Sequence, residues 1–546
     1  MKSNFEIPLG KRRPLYRIFE IFPAALSYGA IILLVILAIF VPSWAAIYML
    51  LITSIVFIRV LRMGLNLVLA YRNLQHNRHI NWHTWLHELD DADANYARRQ
   101  ADGGRKTALV RDHEETLRLL AAERNLYPRA KNVYHAVIIA AFDEGYDIIA
   151  PTIESVLNSG TDRDHIVIAL AYEERGGEAI QQVAEKLQAK FQNKCHAFLT
   201  IMHPKDLPDE VVGKGPNITF AGHKVAAYFD QAQIPAEQVI ITTLDSDNRP
   251  EKNYFDRVAY EFVIRPDRDR CSFQPVSLFL NNVWDAPAPM RVVAAGNTFW
   301  SLASQMRPHM TRNFASHSQP LSALKAMGFW TKRSIVEDGH QFWRSYFFFD
   351  GDYQAVPVGI SIGQDIVQGP TLRASMKAQW KQLRRWFYGA SDVAYVAANL
   401  FSRKRKAPFL KTLAHFFVLI SEPLTLATYP LLIAFGGFVP LHLNRAARTD
   451  LLVQQLPFIV STVQQFALVG LLLLVILSIR MLPAKPKHRT HWKLVGFIAQ
   501  WVLVPVVAIC YTSATAFYSQ TRLALGRYMD KFDATVKFRT KSSKKV

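Results

Sequence analysis

Cysteine is scarce in this chain: three among 546 residues, Cys195, Cys271 and Cys510. They make no metal-ligand spacing, and one falls inside an apolar run, which argues against a disulfide framework and suits a reducing cytosolic face. Zinc-finger and RNP-like motifs are also missing, so a nucleic-acid binder has no motif to rest on. Long apolar runs are missing from about Tyr71 to Lys406. That stretch is expected to be cytosolic and large enough for its own core. Acidic residues are the minority sign, 44 Asp and Glu against 64 Lys and Arg, for a formal net charge of +20. The excess cations cluster beside apolar runs, at Lys11-Arg12-Arg13, at Arg403-Lys404-Arg405-Lys406 and after Ser519. That placement favours membrane flanks over a nucleic-acid patch.

What is present is apolar sequence at both ends. Ala24–Val41 is long enough to cross a hydrocarbon core, and after Pro42-Ser43 a second run extends to Leu69. A cleaved signal peptide is the weaker reading, because the second run follows at once. The loop between the runs has no Lys or Arg while basic residues flank the pair, so a hairpin with both ends cytosolic is expected. Apolar runs resume at about Leu413–Val439, Phe458–Ile479 and Lys493–Phe517. Pro423 leaves room for an interfacial helix before Ser421. Three crossings would put the C-terminus outside, yet the tail VKFRTKSSKKV is basic and argues for inside. A re-entrant segment or a split first run would reconcile the two. The expected organisation is a cytosolic segment 1–23, a transmembrane hairpin 24–70, a cytosolic domain 71–400 with an interfacial helix near 376–400, C-terminal transmembrane helices 401–518 and a basic tail 519–546.

The soluble stretch alternates strand and helix signals. YHAVIIAAFDEG (Tyr134–Gly145) is an apolar run ending in acids, followed by helical spacing to a stop at Gly160. HIVIALAYEERGG is a second run ending in Glu173-Glu174, with a helix at about Glu178–Phe191. AFLTIMH precedes a loop and a helix including Lys224–Gln231, and QVIITTLDSD is the next strand. Such alternation implies a parallel sheet covered on both faces. Ligands then bind beyond the carboxyl ends of the strands, where Asp143, Glu173 and Asp245 fall.

Four motifs carry chemistry, each with a bland reading beside it. Asp245-Ser246-Asp247 is either an Asx turn leading to Pro250 or a hard-cation site. The two carboxylates converge on one ion only where the chain leaves strand geometry. Glu337-Asp338 is either a solvated helix N-terminus or a general base. Gln382, Arg385 and Trp386, at i, i+3 and i+4, share one helix face. They offer an amide, a cation and an aromatic plate, suited to phosphate and a sugar ring. The bland alternative is an interfacial helix with aromatic residues at the headgroups. Lys214, in a glycine-bearing loop, is either a diphosphate ligand or a surface lysine.

In this order, the motifs resemble the membrane-bound family 2 glycosyltransferases, which include cellulose, chitin and hyaluronan synthases and ceramide glucosyltransferase. The resemblance covers roughly Tyr134 to Tyr388 plus the apolar segments. It implies an α/β GT-A fold, Rossmann-like with a mainly parallel sheet, beside an α-helical transmembrane bundle. It implies a nucleotide-sugar donor, UDP-sugar by the family's usage, a divalent cation (Mg²⁺ or Mn²⁺), and a polysaccharide or lipid acceptor. It also implies a multi-pass protein of the plasma (inner) membrane, in contact with membrane lipids and no nucleic acid. By motif, Phe142, Asp143 and Glu144 fall where the first strand meets the base. Lys214 and Asn217 match the lysine-bearing loop, Asp245 the donor contact and Asp247 the metal contact. Glu337 and Asp338 match the T-E-D motif with Asp338 as base, and Gln382, Arg385 and Trp386 match the acceptor and diphosphate motif. Val336 replaces the usual threonine. Ala171-Tyr172-Glu173-Glu174 stands where many relatives carry an Asp pair, leaving Glu173 as the base-recognition candidate. In FASHSQPLSAL, His317 and Ser318 either line an acceptor site or fill a turn, with the turn favoured.

The expected chemistry is inverting transfer to a growing polysaccharide. Within the class the alternative is a glycolipid synthase that adds one sugar, separated by product size. From other classes, a transporter or scaffold with an inactive nucleotide-binding domain would call for intramembrane charges lining a path, and the apolar runs carry almost none. A DNA-binding membrane protein would show salt-sensitive binding to duplex.

Overall fold

The computed structural model describes residues 6–8, 10, 12–102, 107–486 and 492–529. Lys11 and most of the basic tail lie outside the described residues. The chain divides into two compact units. One comprises residues 1–6, Ala70–Leu278 and Ser304–Gln364, and the other comprises Ile7–Leu69, Phe279–Ala303 and residues 365–546.

The first unit is built on an eight-stranded sheet of order β3-β2-β1-β4-β7-β6-β8-β5. β1 (Tyr134–Ala141), β2 (Ile166–Glu173), β3 (Ala197–His203) and β4 (Val239–Asp245) pair in parallel. These are the four apolar runs legible in the sequence. Their continuous hydrophobicity reflects burial on both faces: every residue of β2 is buried. One core packs the helix Tyr146–Leu157 and the helix Gly177–Phe191 against one face, and the other packs the helix Lys214–Gln231 against the opposite face. β5 (Arg249–Pro250), β6 (Cys271–Phe279), β7 (Ser318–Pro320) and β8 (Gln354–Gln364) complete the sheet, with antiparallel pairings β4–β7, β6–β7 and β5–β8. The sheet is therefore mixed, with its parallel half carrying the acidic strand ends.

One expected boundary moves. Lys214 is not in a loop but is the first residue of the helix Lys214–Gln231. Gly213 is extended, and Pro216 falls in the first turn, where an imino nitrogen leaves no helical hydrogen bond unmade.

The second unit is helical. Among the described residues, five helices are long and apolar enough to cross a membrane: Pro14–Phe40, Pro42–His79, Phe409–Leu443, Leu451–Arg480 and Leu494–Ala524. Their exposed side chains include Leu65, Phe458, Val469 and Val502, an apolar surface that water would penalise and acyl chains would not. Pro423 and Pro430 are accommodated inside the helix Phe409–Phe435. The Pro423 carbonyl accepts a hydrogen bond from Gln520 Nε2 at 2.8 Å.

Within this unit the start and the described end of the chain meet. Arg17 Nη1 donates to the Leu523 carbonyl at 2.7 Å and Tyr528 Oη donates to Glu20 at 2.8 Å. At the other end of the first helix, Ser43 Oγ donates to Asp450 at 2.5 Å. Residues 523–528 thus lie at the opening end of the helix Pro14–Phe40. The Leu494–Ala524 stretch is also irregular, containing a 3₁₀ turn at Gln500–Leu503 and a π segment at Ala508–Ser513.

Candidate active site

Parallel pairing brings the ends of β1, β2 and β4 to one edge, with Ala140 opposite Asp245 and Ala141 opposite Tyr172. At the end of β4 the chain turns at once. Asn248 N–H donates to the Asp245 carbonyl at 3.0 Å, closing a turn over Asp245–Asn248. This is the departure from strand geometry that two carboxylates at i and i+2 need to reach one ion. The turn is anchored from beneath, where Thr152 Oγ1 donates to the Ser246 carbonyl at 2.8 Å and Ser246 Oγ donates to Glu144 at 2.9 Å. Glu144 also accepts from the Phe142 amide at 2.7 Å. Its carboxylate therefore ties the β1 exit to the aspartate turn. Asp143 beside it is exposed, and Asp247 is buried.

The centre of the site is a buried lysine among carboxylates. Lys214 Nζ lies 2.9 Å from Asp245 Oδ1, 3.1 Å from Asp338 Oδ2 and 3.6 Å from Glu337 Oε1. Its second distance to Asp338, 3.2 Å to Oδ1, means that it meets both oxygens. Burial alone would lower the lysine pKa, but the carboxylates of Asp245, Asp338 and Glu337 outweigh it and hold it well above the ordinary value. Close packing makes the contact feasible. A Cβ on Gly215 would stand 2.6 Å from the Thr331 carbonyl and 3.1 Å from Glu337 Cβ, so a side chain there would push the lysine's helix off the Glu337 loop.

Glu337 and Asp338 open the helix Glu337–Phe348. The solvated-terminus reading does not describe Glu337, whose side chain is 3% exposed, while Asp338 is 18% exposed. His317 is fully buried behind them, with Nδ1 4.0 Å from Asp338 Oδ1. Nδ1–H donates to the Phe314 carbonyl at 3.1 Å, leaving Nε2 to face Trp330 Nε1–H at 3.4 Å. Burial pushes the imidazole pKa down, so it stands as a neutral wall. Sequence reading favoured a turn for His317. In the structure it follows the bend at Ala315-Ser316 with its ring buried beside Asp338, and Ser318, bonded to Thr242 and Tyr254, belongs to the sheet.

Beside this centre lies a second group. Arg175 Nε donates to Glu173 at 2.6 Å, and its guanidinium lies 4.6 Å from the centre of the Phe142 ring. Burial pushes the Glu173 carboxyl upward against the pull of Arg175. The β2 exit presses so closely on β1 that a Cβ on Gly176 would fall 1.9 Å from the Phe142 carbonyl. Arg175 and Ser246 were not legible as site residues: Arg175 stands in no motif, and Ser246 is the unspecified middle residue of the Asp245-Ser246-Asp247 motif. Asn217 is buried, and its amide donates to the Ala171 carbonyl at 2.9 Å and reaches the Ala141 carbonyl at 3.5 Å, strapping the β1 and β2 ends together.

Gln382, Arg385 and Trp386 lie on the helix Leu372–Phe387 in the second unit. Gln382 accepts from Gln379 at 3.0 Å, and the Trp386 ring packs 6.1 Å from that of Phe279.

The carboxylate pair of the turn suits a divalent cation by donor chemistry. Asp245 and Asp247 are hard oxygen donors at an open strand end, and magnesium-type ions take one or two carboxylates and fill the rest from phosphate and water. Among the described residues, no group of three or more His, Cys, Asp or Glu side chains forms a metal cluster.

No protein-family model matches the chain, and no curated protein matches it. Among solved structures, the chain is similar to a mannosyltransferase, PcManGT from Pyrobaculum calidifontis in complex with GDP-Man and Mn²⁺, at 13% identity over 68% of this chain and 86% of that one, with a TM-score of 0.35. It is also similar to TarS from S. aureus, at 11% identity over 59% of this chain and 55% of that one, with a TM-score of 0.31.

Proposed function

We propose that this chain is a membrane-embedded glycosyltransferase of the family 2 type. It would move a sugar from a nucleotide-sugar, UDP-sugar by the resemblance, to a hydroxyl acceptor with inversion at the anomeric carbon. The observation that carries the reading is the Lys214 ammonium among Asp245, Glu337 and Asp338. It joins three motifs, spread over more than a hundred residues, at the ligand-binding edge of a parallel sheet.

Each group then has a task. Phe142, Asp143, Glu173 and Arg175 receive the nucleoside, and Lys214 meets the diphosphate. Glu144 and Asn217 hold the strand ends in place. Asp245 and Asp247 hold Mg²⁺ or Mn²⁺, which when bound would neutralise charge on the departing nucleoside diphosphate. Asp338, more exposed than Glu337, takes the proton from the acceptor hydroxyl as it attacks. Gln382, Arg385 and Trp386 receive the diphosphate and the acceptor sugar. The acceptor is a growing polysaccharide. Four helices cross the membrane, and Leu494–Ala524 returns to its starting side, so that residues 17 and 523 share one face. An odd number of crossings would separate residues 17 and 523, which touch.

The test is transfer by purified protein from a panel of nucleotide-sugars with Mg²⁺ or Mn²⁺, with products sized. Asp338→Asn and Asp247→Ala should each abolish turnover. Retained turnover in both would sink the assignment, and a single-sugar lipid product would replace the polymer acceptor.

A further inference from the structure

Glu6 precedes the first apolar helix by eight residues, yet it belongs to the first unit. Its Oε1 pairs with Arg344 Nη2 at 2.6 Å, and its Oε2 accepts from Thr331 Oγ1 at 2.8 Å. Arg344 is on the helix opened by Glu337-Asp338 and is 5% exposed, so its charge is costly without a counter-ion. Arg344 Nη1 donates to the Phe329 carbonyl at 2.6 Å and to Gln341 Oε1 at 3.1 Å. One carboxylate thus clasps both ends of a lever: the helix bearing Asp338, and the Phe329–Val336 loop leading into it.

That loop sets the site. The Thr331 carbonyl is the atom that a Cβ on Gly215 would strike, and Thr331 Oγ1 also accepts the Arg333 amide at 3.2 Å. The Lys332 carbonyl accepts the Val211 amide at 2.8 Å, in the segment leading to Lys214. Glu6 therefore holds the surface on which Lys214 and Asp338 find each other.

We infer that Glu6 is a positioning residue for transfer: its carboxylate fixes the loop and the helix that present Asp338. The catalytic half of this inference rests on the glycosyl-transfer reading, and the structural half does not. Glu6 is 29% exposed, so Glu6→Gln should fold.

The experiment compares wild type, Glu6→Gln and Glu6→Asp in full-length protein. Hydrogen exchange at residues 329–336 should quicken about tenfold or more in Glu6→Gln. Its kcat should fall on the order of 100-fold, with donor KM within about twofold, because a misplaced base loses geometry rather than binding. Glu6→Asp should recover part of the kcat. Unchanged exchange overturns the clasp. Faster exchange with unchanged kcat, or a kcat loss that Glu6→Asp does not recover, overturns the positioning role. A wild type with no transfer activity overturns the glycosyl-transfer reading instead, and the exchange result still decides the clasp.

Discussion

Replacing Lys214 with methionine is the sharpest perturbation available, because the side chain stays long and apolar while the charge goes. In the native site one ammonium stands within 2.9–3.6 Å of Asp245, Asp338 and Glu337. Removing a partner from a buried ion pair costs about 3–5 kcal/mol, because the charge left behind is uncompensated. Here Asp245 is 35% exposed and can rehydrate, which places the loss at the lower end, about 3 kcal/mol. For a unit of this size that corresponds to roughly 6–12 °C in melting temperature. Tryptophan fluorescence of the detergent-solubilised protein reads it, since Trp330 and Trp343 are buried in the first unit. The pH dependence adds a second constraint. A lysine whose folded pKa is raised contributes stability that is fully present below its unfolded value, near 10.4, and lost only as pH rises through the folded one. The difference between wild type and Lys214→Met should therefore stay constant from about pH 6 to 9. A variant as stable as wild type would show that the acids are not held by this cation.

Acid sensitivity should trace to His135, buried in β1, whose pKa burial depresses to about 3. Below the unfolded value of about 6.5 the unfolded chain takes up a proton that the fold refuses, so stability falls by about 1.4 kcal/mol per pH unit on the way down. His135→Gln should flatten that slope between about pH 6.5 and 4, and parallel melting curves for the two proteins would exclude His135 as the cause. The meeting of Arg17 with Leu523 predicts that tags on the two termini are cleaved from the same side of sealed vesicles. Cleavage of the two tags from opposite sides would restore five crossings.

The parallel half of the sheet was legible because its strands are buried on both faces and so read as unbroken apolar runs. The antiparallel half was not. β5 and β7 have two and three residues, too short for any period, and β6 and β8 contain Pro275 and Pro357, which argue against a strand when met in sequence. Gly359 in β8 has φ +69°, and a Cβ there would stand 2.8 Å from Asn77 Nδ2, a contact between residues nearly 300 positions apart that no local pattern encodes. The site follows the same division. Asp245-Ser246-Asp247 and Glu337-Asp338 were visible as motifs. What binds them together is the Lys214 ammonium and the close backbone approach at Gly215, which exist only once the chain is folded.

The charge of the folded site has its own consequence. Asp245, Glu337 and Asp338 share one ammonium, and Asp247 stands buried two residues past Asp245. Acidic side chains thus gather around Lys214, and a nucleoside diphosphate is an anion. Lys214 cannot offset that repulsion by itself, because its charge is already shared among three partners. If the chain takes the proposed donor, a divalent cation carried in with the phosphates would add positive charge at the aspartate turn, where hard oxygens are presented. On this accounting the cation acts before chemistry begins: its removal should first weaken donor binding, and a donor that bound equally well with and without Mg²⁺ or Mn²⁺ would contradict the charge balance read from these residues.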